Sequence, residues 1–131
     1  KAKLLVVIMK LSNKKTCTYV NNNTDYTKKI PQHLQRLMIE KFCKEKKIIL
    51  DTHILEYNNM NHLPILFNLL NSKRFVNIVL FSIYSINVNP ELIKKFILKA
   101  KKNNIKIYFA NEFLKLSDNK TKKILNYLIN K

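Results

Sequence analysis

The chain has no glycine and no tryptophan, and only two cysteines and three prolines in 131 residues. Without glycine there is neither a Walker A loop nor a dinucleotide fingerprint, because both need backbone N–H groups to reach phosphate with no side chain in the way. The same absence excludes the G-x-S-x-G elbow of hydrolases. Cys17 and Cys43 lie far apart in sequence, outside any C-x-x-C pattern and away from clustered histidine, so no zinc site and no disulfide framework is expected. Reduced thiols in a cytoplasmic protein are the expectation, with no cofactor. No apolar run approaches the roughly 18 residues of a membrane span.

Acidic residues are scarce as well. Against 25 Lys+Arg stand 8 Asp+Glu, giving a formal charge of +17. Such a balance suggests nucleic acid or an anionic surface. Yet all the cations except Arg36 and Arg74 are lysine, whereas base readout and bidentate phosphate contacts favour arginine. The wealth of Lys, Asn and Ile beside an absence of Gly is also what AT-rich coding produces. The lysine runs Lys44–Lys47, Lys94-Lys95 and Lys120–Lys123 fall on polar helix faces or ends, where solvated charges usually sit. Nucleic acid is therefore the less expected partner.

The length suits one domain, and 47% hydrophobic residues suit a folded core. Residues 1–15 read as an N-terminal extension, with a non-native stretch before Met9 as one reading. Its apolar run, Leu4 to Met9, is shorter than the roughly 7–15 residues of a signal peptide's apolar region. From Thr16 to residue 131 the pattern is that of a single α/β domain. Thr16–Val20 reads as a strand running into the polar cluster Asn21–Asp25. Pro31 fits a first helical position, and Leu34, Leu37, Met38 and Phe42 form an apolar stripe below it, expected to face the core. Lys47 to His53 is a second strand, and Pro64 opens a second helix. Phe75 to Tyr84 has the near-continuous apolar character of a central parallel strand. Asn89-Pro90 starts a third helix, which ends at Asn103-Asn104, where Asn replaces the usual Gly. Ile105 to Phe109 is a fourth strand, and Ser117 or Asp118 caps a last helix.

Strands alternating with helices predict a three-layer α/β fold with a mainly parallel four-stranded sheet in flavodoxin-like or resolvase-like order. In such sheets the ligand crevice lies beyond the carboxyl ends of the strands, where the winding reverses. That rule selects Asn21 and Asn22 after the first strand, Glu56 and Tyr57 after the second, and Ser82 and Tyr84 after the third. Gln32 and the free N–H groups at the start of the first helix join them as an anion seat, and His33 in the same turn is either a ligand contact or simply exposed. The helix dipole there favours a neutral His33 ring. Glu56 and Glu112 form an acid–base pair if their strand ends converge, and two solvated loop carboxylates if they do not. Ser82 with His33 or His62 as base makes a nucleophile, or else a structural hydroxyl at a strand end. His53 and His62 lack ligand spacing, so no metal is expected.

Ile30-Pro31-Gln32-His33-Leu34-Gln35-Arg36-Leu37-Met38-Ile39-Glu40-Lys41-Phe42-Cys43 resembles the most recognisable stretch of the sporadic carbohydrate cluster protein family. Glu56-Tyr57 and Ile78–Ser82 continue the resemblance, which spans Tyr19 to Leu116. It departs at Asn21-Asn22-Asn23, where the family has Ser-Arg-Pro, and at Arg36, where it has Asn. The resemblance implies an accessory or binding protein of bacterial surface polysaccharide or lipopolysaccharide synthesis, with a sugar or nucleotide sugar as ligand. A glycan-modifying enzyme using carboxylate acid–base chemistry is the alternative within that setting. The strand, polar loop and helix also resemble the catalytic domain of serine recombinases. Those enzymes need a nucleophilic Ser beside Arg in the loop, and Asn21–Thr24 supplies neither. A catalytically inactive recombinase-like domain that binds DNA is what this second resemblance implies.

Overall fold

β1 (Thr16–Asn21) is buried at every position, as a strand hydrogen-bonded on both edges and covered on both faces must be. The architecture is that of a computed structural model describing residues 15–57 and 60–131. Residues 1–14 of the expected N-terminal extension, and Asn58 and Asn59 of the loop after the second strand, lie outside the described residues.

β2 (Thr52–Glu56), β3 (Asn77–Leu80) and β4 (Lys106–Phe109) join β1 in parallel, and β5 (Leu114–Lys115) pairs antiparallel with β4. The order is β2-β1-β3-β4-β5. This is the expected winding with one strand more than the four read from sequence. Two residues are too few to show alternation, which is why β5 escapes the pattern.

One helix covers one face and three cover the other. α1 (Gln32–Lys46) packs Ile39, Phe42 and Cys43 against Val20, Val79, Phe81 and Ala110. α2 (Pro64–Ser72), α3 (Pro90–Lys102) and α4 (Asn119–Ile129) supply Leu66, Phe96 and Leu125 to the larger core on the opposite face. The helix starts follow the sequence signals. Pro64 and Pro90 occupy first-turn positions, and the Asn89 side chain accepts a 2.8 Å bond from the Leu92 N–H. Asn104 at φ 53° supplies the left-handed residue that a glycine would otherwise provide.

Several expectations are corrected. β2 begins at Thr52 instead of Lys47, because the αL residue Lys47 and the bond from Ile48 N–H to the Cys43 carbonyl close α1 first. Pro31 is the N-cap of α1 and not its first helical residue. The long apolar run is a strand only over Asn77–Leu80, since Ser82 and Ser85 form a reciprocal capping box that turns Ile83–Ile86 into a 3-10 segment. The α1 stripe is also rotated. Leu34, Leu37 and Met38 are exposed, whereas Gln35, Ile39, Phe42 and Cys43 face inward.

Candidate functional site

The chain passes from β1 outward to β2 and from β3 outward to β4, on opposite sides of the parallel β1–β3 pair, and the crevice lies at the carboxyl ends of that pair. There Asn21 ends β1 fully buried. Its amide donates to the Tyr19 hydroxyl and to the Ser85 carbonyl, both at 3.0 Å, while its oxygen accepts from Thr27 Oγ1 at 2.7 Å and from Asn23 N–H at 3.2 Å. Asn22 donates to the carbonyls of Thr27 and Ile30, both at 3.0 Å. Asn23 reaches the Met60 carbonyl at 2.9 Å. The three asparagines thus hold the loop against its surroundings, with Thr24 and Thr27 bonded to each other beneath it.

Glu56 ends β2 and is completely buried, unlike the solvated loop carboxylate expected as one alternative. Its Oε2 accepts from Ile65 N–H at 2.8 Å and its Oε1 from Leu66 N–H at 3.2 Å, so it caps the positive end of α2. The same Oε1 accepts the Tyr19 hydroxyl proton at 2.6 Å. Burial pushes the Tyr19 phenol far above its ordinary pKa, and the carboxylate beside it raises it further. Glu112 holds a different element: it accepts from Ser82 Oγ at 2.6 Å and from Ile83 N–H at 2.8 Å. The acid–base pair expected from sequence is therefore two carboxylates, each bound to the start of its own helical segment.

Ser82 is buried, donates to Glu112, and caps the Tyr84 N–H at 3.1 Å. That is the structural hydroxyl reading, with neither His33 nor His62 bonded to it. Tyr84 is half-buried, its ring 5.3 Å from that of Tyr26. Gln32 lies at the start of α1 and donates to the Glu56 carbonyl over 3.4 Å, while His33 is exposed beside it. Tyr57 points outward, 77% exposed. The crevice thus gathers Asn21, Asn22, Gln32 and Glu56 around the end of β1, with Ser82 and Tyr84 at the end of β3.

Gln35 was not among the residues the pattern selected. It is fully buried, and its amide nitrogen serves the carbonyls of Asn21 at 2.8 Å, Ile30 at 2.9 Å and Thr27 at 3.3 Å. Its spacing of four from Ile39 and seven from Phe42 was the available signal, for it shares their helix face. Tyr19 was legible in the same way, two residues before Asn21 on one side of a strand.

Neither thiol is poised for chemistry. Burial pushes Cys17 up to about 12 and Cys43 up to about 11, so both stay protonated at neutral pH. No group of three or more potential metal ligands occurs among the described residues, and no described helix is long and apolar enough to cross a membrane. A cavity of about 610 Å³ and another of about 250 Å³ lie elsewhere, the first beside α3 and α4 and the second beside α2.

The fold has solved counterparts. The N-terminal catalytic domain of TP901-1 integrase is similar at a TM-score of 0.65 and 12% identity, over 88% of this chain and 91% of that one. A resolvase family site-specific recombinase from Streptococcus pneumoniae is similar at a TM-score of 0.66 and 8% identity, over 89% of this chain and 86% of that one. No family model matches the sequence, and no curated protein does. Identities this low establish shared architecture. They favour the recombinase-like topology and add nothing to the resemblance with carbohydrate cluster proteins.

Proposed function

We propose that this chain is a recombinase-like domain that binds duplex DNA through its phosphates and does not cleave it. The reading rests on one observation joined to the shared fold: seven of the eight acids already have a hydrogen-bond or ion-pair partner in the chain, while exposed lysines far outnumber them. Asp51, Glu56, Glu112 and Asp118 each accept a backbone N–H. Asp25, Glu40 and Glu91 each pair with a neighbouring cation. Exposed Lys41, Lys44, Lys46, Lys94, Lys95, Lys120 and Lys123 extend over three helices, giving a positive exterior without a base-reading arginine fork. Cleavage is not part of the proposal, because the loop after β1 has neither Ser nor Arg and its amides are engaged inward.

Fluorescence anisotropy with a labelled duplex, titrated across sodium chloride concentrations, tests this. The expected result is sequence-indifferent binding whose logarithm falls linearly with log salt. No covalent protein–DNA adduct should form. Absence of binding at about 50 mM salt would overturn the proposal, since charge-driven association is strongest at low ionic strength. Nucleotide sugars added in a thermal-shift assay should leave the unfolding temperature unchanged, and stabilisation by them would restore the glycan-related reading.

A further inference from the structure

We infer that the cavity at the amino end of β4 is a binding site for a small amphipathic anion, a carboxylate head on an aliphatic body. This site is independent of the crevice and of the DNA reading. Its volume of about 610 Å³ lies within the range of small-molecule sites. The end of α3, the following turn, β4, β5 and α4 enclose it. Ile97, Ile105, Ile107 and Leu125 give it an apolar lining, and Ile105, Ile107 and Leu125 belong to the main core.

Charge supplies the second half of the argument. Lys101, Lys106, Lys115 and Lys122 come from four different elements to the same cavity, and no Asp or Glu lines it. All four are exposed residues, so their aliphatic stems can lie along the wall while the ammonium groups remain at the mouth. Asp118, the acid closest in sequence to this group, is already committed to the Lys115 N–H at 2.8 Å. A neutral apolar ligand would fill the lining and leave the cationic rim uncompensated. A bare inorganic anion would meet the rim and leave the lining wet. An aliphatic monocarboxylate satisfies both.

Octanoate is the probe, with octanol as its uncharged counterpart and phosphatidylglycerol vesicles as a membrane control. Titration followed by amide chemical shifts should show saturable 1:1 octanoate binding, with the largest changes at Ile105, Ile107 and Leu125. Octanol should bind at least about tenfold more weakly, the effect of losing one charge-assisted contact. Lys101→Glu with Lys122→Glu should weaken octanoate by a similar factor at unchanged unfolding temperature, and Lys44→Glu with Lys46→Glu on α1 should not. The inference is overturned if octanoate fails to bind at millimolar concentration, if octanol binds equally, if the Lys101/Lys122 reversal has no effect, or if the shifts fall on Leu34, Leu37 and Met38. Vesicle binding lost through the same two lysines, without octanoate binding, would also overturn it.

Discussion

The hydroxyl of Tyr19 on β1 donates to Oε1 of Glu56 on β2 over 2.6 Å, and both residues are wholly buried. The pair closes a chain that runs from the Ser85 carbonyl through the Asn21 amide and Tyr19 to the first N–H groups of α2. A carboxylate placed where the fold's ligand crevice belongs is thus occupied in joining two strands to a helix.

A structural Glu56 makes a different prediction from a catalytic one. Glu56→Gln should lower stability by about 1–3 kcal/mol, because a neutral amide cannot serve Tyr19 and both helix N–H groups as well as the carboxylate does. Glu56→Ala should cost more. Chemical denaturation measures both, and an unchanged midpoint for Glu56→Gln would return the residue to the list of acid–base candidates.

The stripe on α1 supplies a second test. Leu37 is 57% exposed and Ile39 is 0% exposed. Leu37→Gln should change stability by less than about 0.5 kcal/mol, whereas Ile39→Ala should cost about 2–5 kcal/mol by opening a cavity in the smaller core. Equal losses at the two positions would mean that α1 is rotated in solution relative to this arrangement.

That rotation explains how far the sequence could be read. Periodicity located α1 correctly, since many apolar residues at helical spacing mark a helix whichever way it faces. Two apolar stripes overlap in it, however, and the stripe Leu34, Leu37, Met38 and Phe42 omits Ile39 and contains no polar residue. The buried stripe contains Gln35, whose worth lies in three carbonyls distant in sequence or in loops, and only the fold brings those together. Topology alone selects the crevice. Asn21, Asn22 and Glu56 lie at or just after the strand ends, and their inward bonding depends on Tyr19, Thr27 and the start of α2. β5 was missed because two residues carry no period.

The thiols should behave as core groups. Cys17 and Cys43 are both buried and protonated at neutral pH, with pKa values pushed up to about 12 and about 11. An aromatic disulfide reagent at pH 8 should modify neither within the time in which it labels the urea-unfolded chain completely. Rapid labelling of either cysteine in the native protein would contradict the packing of β1 or α1.

Stability should fall as the solution is acidified through the histidine range. Burial lowers the pKa of His53, and the Arg36 guanidinium lowers it further, against an opposing pull from Glu40. The native state then binds fewer protons than the unfolded chain, whose His titrates near 6.5. The contribution is fully present above about 6.5 and is lost as pH falls from there through the depressed native value. Unfolding midpoints between pH 7.5 and 5.5 should therefore decline less in His53→Asn than in the parent. The Thr18–His53 hydrogen bond of 2.7 Å makes the variant somewhat weaker at pH 7.5, which separates this contact from the titration.

The absence of glycine leaves its mark on the backbone. Lys47, Leu63, Lys73, Asn104 and Phe113 all adopt positive φ, between 50° and 57°, in the left-handed region where a Cβ crowds the following carbonyl. At Lys47 and Lys73 the side chain is exposed, so Lys→Gly relieves the crowding and removes no packing. Each of these two substitutions should stabilise the protein by about 1 kcal/mol, after the greater unfolded-state freedom of glycine is subtracted. Leu63 and Phe113 should respond in the opposite direction. Leu63 is wholly buried, and the Phe113 ring lies 5.2 Å from that of Phe42, so Gly there loses more in packing than it gains in backbone freedom. Thermal unfolding of the four single variants checks the split. If Lys47→Gly and Lys73→Gly both fell with the other two, the left-handed conformations would not be a source of strain in this chain.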